Sequence, residues 1–307
     1  MEYVLVAEGL TKSYQKNRVL NGVTMHIKKG DIYGFVGENG SGKTTVIRLV
    51  CGLIHADEGE FTLFGVKGNS PDIRQARARV GAIVEAPSIY MNLSAQDNLK
   101  MQCSILGIKD EEKCKETLAK VGLFDLWESK KHAGDFSLGM RQRLGIAMAL
   151  LGEPEFIILD EPMNGLDPAG IVEIRELILR LNRESGITFL ISSHILTELA
   201  LVATRYGIIS KGKILQEITA EQLEQVCKHT TMIKATDNEA LASRLCALCG
   251  EDAVTVTEGG VCVEGDVNLN QIFGEIIASG IQITAVNTYH SSIEDYYLSL
   301  VGGGKHA

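Results

Sequence analysis

Short apolar runs recur along the first two thirds of the chain, and helical patterns of 3.6-residue period separate them. The runs EYVLVAE, the VLNGVTMHI region, DIYGFV, GEFTLF, VGAIV, FIILD, ITFLIS and YGIIS read as strands. The spacing of apolar positions predicts helices over 43–53, 71–79, 95–106, 111–121, 138–151 and 169–185. Runs such as FIIL are apolar on both faces, as strands of a parallel sheet covered by helices must be. From 88 to 152 the pattern is mostly helical, which predicts a helical subdomain set into an α/β core. The character changes near residue 219. TAEQLEQVCK reads as a linking helix, followed by strand TMIKAT, helix NEALASRLCAL, strands AVTVTE and VCVEG, helix NLNQIFGEIIAS and strand IQITAVN. That β-α-β-β-α-β order is the ferredoxin-like pattern. A last helix is expected to open with a capping box of Ser292 and Asp295, and the terminal GGGKHA to be frayed. The predicted division is 1–217 and 218–307.

Composition narrows the function. In 307 residues 45% are apolar, enough for a sizeable core. The net charge of −9, with no basic block longer than a Lys pair, argues against nucleic acid as a partner. The N-terminus lacks a signal-peptide pattern, and no apolar run reaches the roughly 18–20 residues of a membrane span. Seven scattered cysteines suit a reducing, cytoplasmic setting. The pair Cys246 and Cys249 has no second pair or nearby histidine to complete a metal site, so it is read as core.

The chemistry concentrates in a few stretches. DIYGFV runs into GENGSGKTT, Gly37 to Thr45, and then into a helical run. A strand, this glycine-rich turn and a helix make a phosphate loop. Gly37, Glu38, Asn39, Gly40, Ser41 and Gly42 form its turn, whose N–H groups face phosphate oxygens. Lys43 reaches the β- and γ-phosphates, the Thr44 hydroxyl ligates Mg²⁺, and Thr45 closes the motif. FIILDEP ends a strand in Asp160, placed for the Mg²⁺ shell, and Glu161, placed to activate a water. ITFLISSH ends another strand in His194, expected at the γ-phosphate or attacking water. In FSLGMRQRLGIAMALLG, Ser137 caps a helix and Gly139 leaves its first turn open to an anion.

In this order GENGSGKT, FSLGM, FIILDEP, NGLDP and SSH resemble the nucleotide-binding subunit of ATP-binding-cassette (ABC) transporters, over about residues 1–217. The resemblance implies a P-loop NTPase cassette using ATP and Mg²⁺, with Tyr14 stacked on adenine. It implies a head-to-tail dimer of two copies with ATP between them, where Ser137 and Gly139 meet the other copy's γ-phosphate and Asp167 lies at the seam. A separately encoded membrane permease would place the chain at the inner face of the cell membrane, docked through 86–106 (Ile89, Tyr90, Met91 and Leu93). Two positions depart from the pattern. The signature loop is usually L-S-G-G-Q, and here Leu138 and Met140 replace a Gly and the Gln. After VGAIV most members place a Gln that touches Mg²⁺, and here it is Glu85, a hard oxygen ligand. Glu85 and the FSLGMRQRLGIA wording resemble the subset that protects bacteria against lantibiotics and bacitracin. The expected function is therefore ATP hydrolysis, by Glu161, His194 and Lys43, driving export of such peptides. Export of another drug, lipid or ion, or a soluble ABC ATPase outside transport, stays open.

Overall fold

The run IYGFV is buried at every position, and so are FIILD and TFLISS. Strands without a polar face need cover on both sides, and they form the middle of a parallel sheet. In the computed structural model, which describes residues 2–226, 229–250, 253–257, 260–265, 269–290 and 293–301, this sheet has the order β10-β9-β3-β8-β7-β6. Its strands are β3 (Ile32–Val36), β6 (Val80–Ile83), β7 (Phe156–Asp160), β8 (Thr188–Ser193), β9 (Arg205–Ser210) and β10 (Lys213–Thr219). The first five run parallel, and β10 adds an antiparallel edge. Register aligns the carboxyl ends: Val36 lies opposite Ser193, and Asp160 opposite Ser192.

The N-terminal strands do not join this sheet. β1 (Tyr3–Tyr14), β2 (Asn17–Lys28), β4 (Glu58–Leu63) and β5 (Val66–Lys67) form a separate antiparallel sheet of order β2-β1-β4-β5. The reason is visible in their burial, which is mixed rather than continuous, so one face meets solvent. Between the two sheets Leu5, Leu20, Met25, Phe35, Ile47 and Phe156 belong to one core, along with α1 (Lys43–Cys51).

A short α2 (Ile73–Arg77) precedes β6. Between β6 and β7 the chain is helical: α3 (Ala95–Leu106), α4 (Glu111–Lys120), 3₁₀ turns at Phe124–Leu126 and Ala133–Asp135, and α5 (Leu138–Leu150). Ser94 caps α3 by accepting from the Asp97 N–H, and Asp110 caps α4 by accepting from Glu112. Then α6 (Pro168–Ser185) links β7 to β8, and α7 (Leu196–Ala200) links β8 to β9.

The contacts divide the chain into Met1–Ala220 and Glu221–Ala307. The first unit runs past residue 217 because β10 continues to Thr219, so α8 (Ala220–Val226) starts later than the TAEQLEQVCK reading placed it. In the second unit β11 (His229–Ala235), α9 (Asn238–Cys249), β12 (Val254–Thr257), β13 (Gly260–Glu264), α10 (Leu269–Ala278) and β14 (Ile283–His290) follow in turn. The sheet order β12-β13-β11-β14 is antiparallel throughout, the split βαβ arrangement. Ile233, Leu241, Leu245, Val261, Val263, Ile272 and Ile276 make a core of its own, with Cys249 packed against it. Burial pushes the Cys249 thiol up. α11 (Ile293–Val301) ends the described chain. The expected capping box rests on Ser292, which lies outside the described residues, as do Cys227 and the 302–307 tail.

Candidate nucleotide site

Three strand ends converge because parallel neighbours share a carboxyl edge. After β3 the chain turns through Gly37–Gly42 into α1. Gly40 and Gly42 have φ of 81° and 113°. A Cβ on Gly42 would also stand 2.6 Å from Leu20 Cδ2, so no other residue fits there without displacement. Gly42 occupies the N-cap with no side-chain cap bond, which leaves the positive end of α1 open to an anion.

The loop is wired by Lys43. Its side chain is 5% exposed, and its ammonium donates to the Gly37 carbonyl at 2.6 Å and the Glu38 carbonyl at 3.2 Å. It also lies 3.3 Å from Glu161 Oε1. Glu161 Oε2 lies 2.7 Å from His194 Nδ1. Lys43, Glu161 and His194 thus form one chain of charge-assisted contacts, with the carboxylate in the middle. Around them are Ser41, whose hydroxyl is buried without a hydrogen-bond partner, and Asp160, 3% exposed.

Ser192 was not singled out in the sequence, although it stands in the SSH run. Its hydroxyl donates to Asp160 Oδ1 at 2.6 Å and accepts from the Glu161 N–H at 2.9 Å. One serine therefore fixes both strand-end acids. Glu161 takes φ of 50°, in the left-handed region. Glu198, on α7, was also not anticipated. Burial raises its pKa, and the nearby His194 works against that shift.

The remaining residues stand apart from this cluster. Glu85, two residues past β6, has φ of 65° and a side chain 61% exposed. Its Oε1 accepts from Arg48 Nη2 on α1. Tyr14 ends β1, exposed, with the Lys12 ammonium 5.8 Å from its ring centre. Ser137 caps α5 by accepting from the Met140 N–H at 3.2 Å, with Gly139 in the first turn. Asp167 caps α6, accepting from the Gly170 N–H at 3.1 Å. Asn39 is exposed, Thr44 half-buried and Thr45 buried.

The donors suit a hard cation carried by a phosphate ligand. Thr44, Asp160 and Glu85 offer only oxygens, and Asp160 keeps Oδ2 clear of its bond to Ser192. Among the described residues no three His, Cys, Asp or Glu side chains are grouped so as to hold a metal ion by themselves. Mg²⁺ fits that pattern, since it takes one or two carboxylates and completes its shell with water and phosphate.

A groove of about 540 Å³ opens along the edge strand β6. Leu53, Gly81, Pro87, Gln102, Leu106 and Met148 help line it. Of the expected docking residues, Ile89, Tyr90, Met91 and Leu93 are not in that lining, although Tyr90 and Met91 are exposed; Asn98 holds their turn, accepting from the Tyr90 N–H at 2.8 Å and donating to the Tyr90 carbonyl at 3.1 Å. Among the described residues no helix is long and apolar enough to cross a membrane.

Known proteins share both the sequence and the fold. A family model described as ABC transporter matches residues 20–164, and an AAA-domain model matches 131–200. The chain is 40% identical to the bacitracin transport ATP-binding protein BcrA of Bacillus licheniformis, over 99% of each chain. It is 37% identical to the BcrA of Enterococcus faecalis, over 99% of this chain and 98% of that one. To the lantibiotic transport ATP-binding protein SrtF of Streptococcus pyogenes it is 44% identical, over 70% of this chain and 90% of the relative. A solved subunit of the cbiONQ ABC transporter complex from Clostridium perfringens superposes with a TM-score of 0.65 at 25% identity, covering 73% of this chain and 91% of that one.

Proposed function

Because the chain belongs to the ATP-binding subunits of ABC transporters, whose ATPase activity is coupled to transport, we propose that it powers export of membrane-active peptide antibiotics of the bacitracin or lantibiotic kind. One observation carries this reading. Similarity to the two bacitracin transport proteins runs the length of the chain, through the second unit as well as the cassette.

In this reading the phosphate loop and the open end of α1 bind the triphosphate, and Tyr14 stacks on adenine. Lys43 exchanges its bonds to the Gly37 and Glu38 carbonyls for phosphate oxygens. Glu161 polarises the attacking water, and His194 holds that carboxylate in place through Nδ1 while its Nε2 faces the reacting group. Thr44, Asp160 and Glu85 would hold Mg²⁺, which when bound offsets the negative charge of the β- and γ-phosphates. Ser137, Gly139 and Asp167 act across a head-to-tail dimer, where the capped start of α5 meets the nucleotide of the second copy. The groove beside Pro87 receives a segment of a separate permease at the inner face of the membrane, so the nucleotide edge and the docking groove share the β6 end.

The test is the susceptibility of host cells to a panel of lantibiotics and bacitracin, in wild type, a deletion strain and a strain carrying Glu161→Gln. Sensitisation of both altered strains to one peptide is the expected result. No change in either removes the peptide-export reading.

A further inference from the structure

Arg48 lies one helical turn past Thr44 on α1. Residues four apart share a helix face, and here both are half-buried while Lys43, Thr45, Val46, Ile47, Leu49 and Val50 are buried. Arg48 and Thr44 therefore share the open stripe of the phosphate-loop helix. The Arg48 guanidinium is bonded to Glu85, the acid at the end of β6.

Stability does not account for this pair. Both side chains are more than a third exposed, and an exposed ion pair adds little. The glutamate also sits in the left-handed backbone region, which a non-glycine residue enters at a cost. The contact uses one carboxylate oxygen. Oε1 accepts from Arg48, while Oε2 has no hydrogen-bond partner among the described residues. A carboxylate has room to accept at both oxygens at once.

We propose that Arg48 is a positioning residue, holding Glu85 by Oε1 so that Oε2 is presented to the Mg²⁺ that accompanies ATP at Thr44. The inference rests on the reading of Glu85 as a metal ligand. Two effects of Arg48 oppose each other. Its charge competes with a cation for the carboxylate, but solvent screens that competition at so exposed a site. Its bond removes rotamer freedom that Glu85 would otherwise lose on binding metal. The second effect dominates, as for other groups that orient a metal ligand from behind. The planar fork of arginine suits the task better than the point charge of lysine.

The experiment titrates Mg²⁺ against binding of a fluorescent, non-hydrolysable ATP analogue to the full chain, so turnover is not the readout. Arg48→Ala is expected to raise the Mg²⁺ midpoint about 2- to 5-fold, the reach of an exposed ion pair. Arg48→Lys is expected to fall between it and wild type. Once Glu85→Ala is present, Arg48→Ala is expected to add nothing. A wild-type midpoint for Arg48→Ala, beside a shifted one for Glu85→Ala, overturns the role of Arg48 and leaves Glu85 as a ligand. A wild-type midpoint for Glu85→Ala overturns both. An Arg48→Ala shift that persists in the Glu85→Ala chain makes Arg48 a direct nucleotide contact and also overturns the proposal.

Discussion

At the scale of single residues, Glu161 holds the site together. It contacts Lys43 on one oxygen and His194 on the other, and Ser192 fixes its backbone. Glu161→Gln keeps the shape and removes the charge. ATP turnover, read by phosphate release, should fall about 10²- to 10⁴-fold, with nucleotide affinity within a few-fold of wild type. A second acid acts on stability. The Arg79 guanidinium donates to Glu155 at 2.7 Å and holds its carboxyl below the usual glutamate range. Folding therefore lowers this pKa, and the pair, with both side chains about two-fifths exposed, adds a small stabilisation at neutral pH. That contribution is lost as pH falls below about 4.3, the ordinary glutamate value. Glu155→Gln should flatten the acid limb of a stability–pH curve measured by urea unfolding.

At the scale of elements, α5 and the segment after β6 depend on one glycine. A Cβ on Gly145 would stand 2.6 Å from Pro87 Cβ and 3.2 Å from Ile83 Cδ1. Gly145→Ala gains up to about 1 kcal/mol of helix propensity, but crowding this contact costs about 1–3 kcal/mol. The net should be a melting temperature lower by a few degrees, with a shift in Mg²⁺ or nucleotide response because Pro87 is two residues from Glu85. Much of the element plan was legible. FIIL and TFLIS are apolar on both faces, which names a covered parallel sheet, and the acids and histidine after them mark its carboxyl edge. What was not legible involves elements whose pattern is mixed. β10, KILQEIT, pairs along one side only and carries charges, so it did not stand out as a strand. The separate N-terminal sheet is defined by which strands pair, a choice that no single run of residues encodes. The Arg48–Glu85 and Ser192–Asp160 contacts join segments 37 and 32 residues apart, where spacing gives no signal.

At the scale of the molecule, the two units have separate cores. A chain ending at Ala220 should keep a cooperative thermal transition and bind nucleotide. One ending at Glu217 should melt lower, because it loses Ile218 and Thr219 from the paired edge of the sheet. Ile218 is buried, so the cut removes core as well as hydrogen bonds. Calorimetry on the two fragments distinguishes them.

The left-handed backbone at residues 85 and 161 has a bearing on how this sequence would drift under selection. Gln15, Phe64, Glu153 and Lys211 share that conformation without belonging to the nucleotide site. Glycine relaxes the backbone at all six positions, but at 64 it would also delete a ring packed against the core and lying under Arg79. In a library sorted for abundance alone, glycine should therefore be enriched at the other five. In a library sorted for survival on a peptide antibiotic, glycine should rise at 15, 153 and 211 and vanish at 85 and 161. The difference between the two tallies separates what the backbone prefers from what the chemistry demands.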